Sequence, residues 1–126
     1  MANRIKLVQG DTYPQITVTI YDEATGKPAD LRAAVVRLKF RESGATTLKA
    51  TLTGSLIAGF TDENGQAVYT PPPYDEDGGG GGVIFSWDAD DLNAAGSYEG
   101  EVEVTFPNHR IQTVYDVVRF QVREQF

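Results

Sequence analysis

Between residues 98 and 106 the chain reads Tyr-Glu-Gly-Glu-Val-Glu-Val-Thr-Phe, a strict two-residue alternation. In an extended strand Tyr98, Gly100, Val102, Val104 and Phe106 fall on one side, and Glu99, Glu101, Glu103 and Thr105 on the other. A helix would scatter those three carboxylates around its circumference. The segment therefore belongs to a β-sheet that buries one face and wets the other, as antiparallel sheets do.

The same period recurs along the chain. Ile16, Val18 and Ile20 alternate with Thr17, Thr19 and Tyr21, and Val36, Leu38 and Phe40 with Arg37, Lys39 and Arg41. Val118, Phe120 and Val122 alternate with Arg119, Gln121 and Arg123. Residues 49–52, 56–60, 67–70, 83–87 and 111–115 are shorter β-prone stretches. Turn chemistry separates them: residues 22–28, Asp62-Glu63-Asn64-Gly65 with its Asn-Gly hairpin signal, and Pro107-Asn108-His109-Arg110. Only residues 88–95 carry a helical pattern, too short for more than a turn or two. A chain of 126 residues with no repeat at solenoid spacing is one domain, residues 1–126.

Seven or more short strands in a chain of this length predict an all-β fold, an immunoglobulin-like two-sheet antiparallel sandwich. Asp91-Leu92-Asn93-Ala94-Ala95-Gly96-Ser97-Tyr98 has the form of a tyrosine corner. There, a tyrosine opening strand F hydrogen-bonds a few residues upstream. The expected acceptor lies within residues 91–95. Gly100 stands where an antibody domain places its second cysteine, so packing alone replaces the inter-sheet disulfide.

Charge gives an independent prediction of neighbours. If residues 98–106 are strand F, strands C and G flank it. Glu99, Glu101 and Glu103 would then face Arg37, Lys39 and Arg41 on one side and Arg119 and Arg123 on the other. Three carboxylates in one ladder disfavour pairing with another acidic strand. Carboxylates spaced along a flat face do not converge on a cation.

Eighteen acidic against eleven basic side chains give a net charge of −7, which repels phosphate backbones and argues against nucleic acid as a partner. The absence of cysteine excludes disulfides and thiolate chemistry and suits completion in a reducing cytoplasm. The opening residues lack an apolar stretch of signal-peptide length, and no run approaches a membrane span. The expectation is a protein that leaves its compartment only inside a larger particle.

Candidates for chemistry are sparse. Residues 78–82 are five glycines, but no Gly-Lys-Ser/Thr follows and Asp75-Glu76-Asp77 precedes them, against phosphate binding. The composition of residues 70–82 reads as a flexible Pro/Gly-rich loop that a short turn could replace without loss of the fold. Tyr74 on it is the expected exposed contact residue. Asp88, Asp90 and Asp91 lack the glycine and distal glutamate of a calcium loop, so Asp88 or Asp90 is read as a cap. His109, the sole histidine, has no serine or cysteine partner in view. Trp87 is read as a core residue, with a sugar platform as the sharper alternative. No catalytic, metal or cofactor residue is expected, and the chain is read as no enzyme. Affinity is expected in protein interfaces: edge strands and an arm formed by Ile5, Leu7 and Val8.

Gln9-Gly10-Asp11-Thr12-Tyr13-Pro14 running into Ile16-Thr17-Val18-Thr19, and Pro28-Ala29-Asp30-Leu31 ahead of residues 35–40, resemble the amino-terminal immunoglobulin-like domain of tailed-phage baseplate upper proteins. Phe85-Ser86-Trp87, residues 95–104 and Arg110-Ile111-Gln112-Thr113-Val114 are similar to its second half. The resemblance covers roughly residues 8–123. In that family the domain docks onto a ring at the tail tip, and following helices and a further domain hold the receptor-binding proteins. Here the sequence ends at Phe126 without that arm and holder. The resemblance implies a non-enzymatic virion structural component of tail, baseplate, neck or capsid decoration. It would be assembled in the host cytoplasm and present in many symmetric copies against other virion proteins. The alternative is a carbohydrate- or surface-binding module using Trp87, Tyr74 and the long loop.

Overall fold

A computed structural model describes residues 4–126. The alternating segments become strands β1 (Arg4–Val8), β2 (Ile16–Thr19), β3 (Val35–Glu42), β4 (Ala50–Thr53), β5 (Ser55–Ile57), β6 (Phe60–Thr61), β7 (Ala67–Val68), β8 (Gly82–Phe85), β9 (Gly96–Thr105), β10 (Ile111–Thr113) and β11 (Val118–Arg123). The chain is all-β, with several antiparallel sheets and an arrangement compatible with a β-sandwich. The larger sheet runs β1-β11-β9-β3-β4, with β10 also on β9; the second runs β2-β8-β5, and β6 and β7 form a separate hairpin. Residues 88–95, the one stretch with a helical pattern, form turns instead.

The expected neighbours of the acidic strand are present in register. β3 pairs antiparallel with β9, Arg41 opposite Glu99, Lys39 opposite Glu101 and Arg37 opposite Glu103. On the other side β11 places Arg119 opposite Glu99. Glu99 accepts ion pairs from both flanks, Arg41 at 2.7 Å and Arg119 at 3.7 Å. Lys39 reaches diagonally to Glu103 at 2.7 Å, and that carboxylate raises the lysine's pKa. Arg123 departs from the expectation. It lies beyond the last β9 partner of β11, and its guanidinium sits 4.8 Å from the ring centre of Phe126.

The inward residues of both sheets make one buried cluster. Its aromatic end centres on Phe40, which stacks on Tyr98 at 4.7 Å and meets Trp87 and Phe120 edge-on at 5.0 and 5.3 Å. The Tyr98 hydroxyl donates to the Ala94 carbonyl at 2.7 Å, as the corner predicted. Leu92, fully buried, anchors the turn from below. Gly100 faces this cluster, and a Cβ there would stand 2.6 Å from Leu38 Cδ1. Leu38 of β3 and Phe120 of β11 fill the space a side chain at position 100 would take.

The opposite end is packed by main chain, and here the expected flexible loop at 70–82 is corrected over its glycines, residues 78–82, while residues 70–77 are an exposed or half-buried connection. Residues 78–82 are buried. The Gly78 carbonyl accepts from Leu31 N–H and the Gly81 carbonyl from Ile20 N–H, both at 2.9 Å, while Gly78 N–H donates to the Ile57 carbonyl at 2.9 Å. A Cβ at Gly79 would stand 1.8 Å from the Pro73 carbonyl oxygen, at Gly80 2.6 Å from that of Gly59, and at Gly81 2.3 Å from that of Ile20. Backbone approaching backbone this closely tolerates no side chain, so the composition that resembles a linker is a packing requirement.

Candidate docking surface

The residues expected to make contacts are largely drawn into the fold. Ile5, Leu7 and Val8 do not form a free arm, because β1 pairs in parallel with β11, Ile5 opposite Phe120 and Leu7 opposite Val122. Leu7 is buried and the other two half-buried. Alternation of Arg4 and Lys6 with Ile5 and Leu7 already carried that strand signal. Tyr74 is half-buried, its ring edge-on to Phe60 at 5.1 Å and its carbonyl accepting from Gly59 N–H, so it is no exposed contact residue. Trp87 is 4 % exposed and donates Nε1–H to the Pro14 carbonyl. Trp87 is thus a core residue, and Tyr74 is partly covered by the β6 hairpin.

The polar candidates resolve into turn chemistry. It is the Asp91 carboxylate, not that of Asp88 or Asp90, that accepts from a main-chain amide, Asp88 N–H at 2.8 Å. His109 occupies the left-handed position, φ +67°, of a turn closed by Phe106 N–H donating to the Arg110 carbonyl. The hairpin of β6 and β7 is closed the same way by Asp62 and Gln66, with Gly65 at φ +80°. Among the described residues no group of three or more His, Cys, Asp or Glu is placed to hold a metal ion. Arg32 grips Asp30 at 2.7 Å and Glu76 at 2.8 Å, and its guanidinium holds the Asp30 carboxyl below the usual 3.8. This exposed clamp ties the turn before β3 to the segment leading into the glycines.

What stays open is strand edge. Along the flank where β2 bounds its sheet, a groove of about 300 Å³ separates β2 from β9, β10 and β11. Val18, Ile20, Val102, Val114 and Val118 give it an apolar floor. β10 leaves the line of β11 at residues 114–117, where Val114 N–H donates to the Val102 carbonyl, so β1 covers β11 alone. Ile20 N–H donates to Gly81, on the β8 side. In an antiparallel ladder the intervening residues then turn their main-chain groups outward, which assigns the N–H and C=O of Thr17 and Thr19 to the open edge. Sequence reasoning anticipated open edges as a class but not this one, because the groove joins residues about a hundred positions apart. No family model matches the chain, and no curated protein matches it.

Proposed function

We propose that the chain is a non-enzymatic docking and assembly module of a tailed-bacteriophage virion, an immunoglobulin-like domain of tail, baseplate, neck or capsid decoration present in many symmetric copies. The observation that carries the reading is strand order. β11-β9-β3-β4 follows the G-F-C-C′ order of a variable-type immunoglobulin domain, and β2-β8-β5 follows B-E-D. The Tyr98 to Ala94 bond falls at the E–F corner, where such domains carry it. The segments resembling the baseplate upper protein domain map onto this frame: residues 9–19 lead from β1 through β2, residues 95–104 run from the preceding turn through most of β9, and residues 110–114 enclose β10.

A domain of this kind acts by presenting fixed edges and loops to neighbours, and symmetric repetition lets individually weak contacts hold. No observation favours the carbohydrate reading, since Trp87 and Tyr74 are packed. The test is mass spectrometry of density-purified particles from cells that carry the gene with its neighbours, alongside particles made with the gene deleted. The proposal expects the chain in the particle at a fixed stoichiometry and a structural defect on deletion. Its absence from purified particles would overturn it.

A further inference from the structure

The groove beside β2 has the parts of a strand acceptor: an apolar floor for alternate side chains, beside a strand edge on which the ladder turns the main-chain donors and acceptors of Thr17 and Thr19 outward. The other edges are guarded or minimal. β1 carries Arg4 and Lys6; β4, itself uncharged, starts directly after Lys49; and β5, like β10, is three residues long but does not line this groove. β2, Ile-Thr-Val-Thr, and β10, Ile-Gln-Thr, carry no charge and no proline, the two devices by which edges usually refuse a neighbour. Among the described residues no strand pairs with the outer edge of either.

Charge selects the occupant. Glu23 and Asp116 line the groove, both exposed and neither in an ion pair among the described residues. A second copy would bring the same two acids, and a net charge of −7, against them. A foreign strand with basic ends would meet them favourably.

We infer that this groove binds an extended segment of a different protein by β-strand addition, its apolar residues at alternate positions and Lys or Arg at its ends. Main-chain hydrogen bonds to Thr17 and Thr19 supply affinity, and the valine floor with its acidic rim sets direction and selectivity. The inference deepens the docking reading and rests on it for its biological setting. Its chemistry is tested on the isolated protein.

The probe is the heptapeptide Lys-Val-Thr-Val-Thr-Val-Lys, titrated into the isotope-labelled full chain and followed by NMR. Saturable shifts are expected at the Thr17 and Thr19 amides and the Val114 and Val118 methyls. They should vanish for a peptide N-methylated on alternate amides. A Glu-ended peptide should bind about five- to tenfold more weakly, the scale of one or two exposed ion pairs. The exposed pair Glu23→Lys and Asp116→Lys should reverse that preference. Thr19→Pro, which removes an outward N–H and leaves the β8 ladder intact, should abolish binding. Shifts confined to β1, β4 or β5, or no saturable binding, would overturn the inference. A concentration-dependent dimer lost in Thr19→Pro would overturn it in favour of a second copy. Peptide binding by a protein absent from particles would sink the virion reading and leave the groove standing. Normal incorporation without peptide binding would do the reverse.

Discussion

The two ends of the interior are both buried, and they are filled by opposite means. Around Phe40 four aromatic rings meet at 4.7 to 5.5 Å, and side chains do all the packing. Around Gly80 the segment itself has no side chains, and main chain lies on main chain, tied to its surroundings by hydrogen bonds at Gly78, Gly79 and Gly81. The aromatic end gains from apolar area and ring geometry, so a lost ring leaves a cavity. The glycine end gains from close approach and from the hydrogen bonds of Gly78, Gly79 and Gly81, so an added methyl is the injury. The same buried volume thus fails under opposite substitutions.

The most damaging way to break this comparison is to excise the glycine end. Replacing residues 71–82 by a short turn should abolish the cooperative thermal transition, because Ile20, Leu31 and Ile57 lose main-chain partners and β8 loses its entry. A variant that melts near the parent temperature would return the segment to the status of a linker. Phe40→Ala comes next, with an expected loss of about 3 to 5 kcal/mol in chemical denaturation, the range for truncating a fully buried ring.

Gly81→Ala should cost about 2 to 4 kcal/mol, combining overpacking against the Ile20 carbonyl with a left-handed backbone at φ +76°. A cost below that of an ordinary surface change would contradict the close approach. Tyr98→Phe should cost about 1 kcal/mol, since the Ala94 carbonyl loses its donor while the ring stack remains. Burial, and then the Glu42 carboxylate, raise the Tyr98 pKa above its ordinary 10.0. The native state therefore keeps that proton longer than the unfolded chain, and stability falls as pH climbs above about 10. Alkaline melting curves should show a shallower decline for the Phe variant. The smallest effect sharpens the turn chemistry: His109→Gly should stabilise by about 0.5 to 1 kcal/mol, because glycine takes φ +67° without strain.

How much of this was legible in the sequence follows the same division. Sheet faces that bury one side write themselves as alternation, so β2, β3, β9 and β11 are readable, and the charges on β3, β9 and β11 even give their neighbours. Tyr98 was readable because its acceptor is only four residues away. β1 carried its alternation in full, but its partner is over a hundred residues distant and pairs in parallel, so nothing local distinguishes a sheet strand from an arm. The glycine end left no pattern at all. A residue without a side chain cannot show which way it faces, and burial of backbone is visible only once Gly59, Pro73 and Ile20 are in place around it. The groove was hidden for a related reason, since its floor is assembled from three separate stretches of chain.

The contrast between the two ends rests on residues 78–82 being a structural part of the interior, and amide hydrogen exchange in the native protein reads that most directly. The amides to follow are Gly78, Ile20 and Leu31, whose hydrogen bonds tie the glycine segment to its surroundings, with Val102 and Val104 of β9 as the reference. The first three are expected to exchange as slowly as the reference pair, within about tenfold, because both ends open together with the whole fold. Exchange of Gly78, Ile20 and Leu31 at the rate of an open loop, while Val102 and Val104 stay protected, would contradict it.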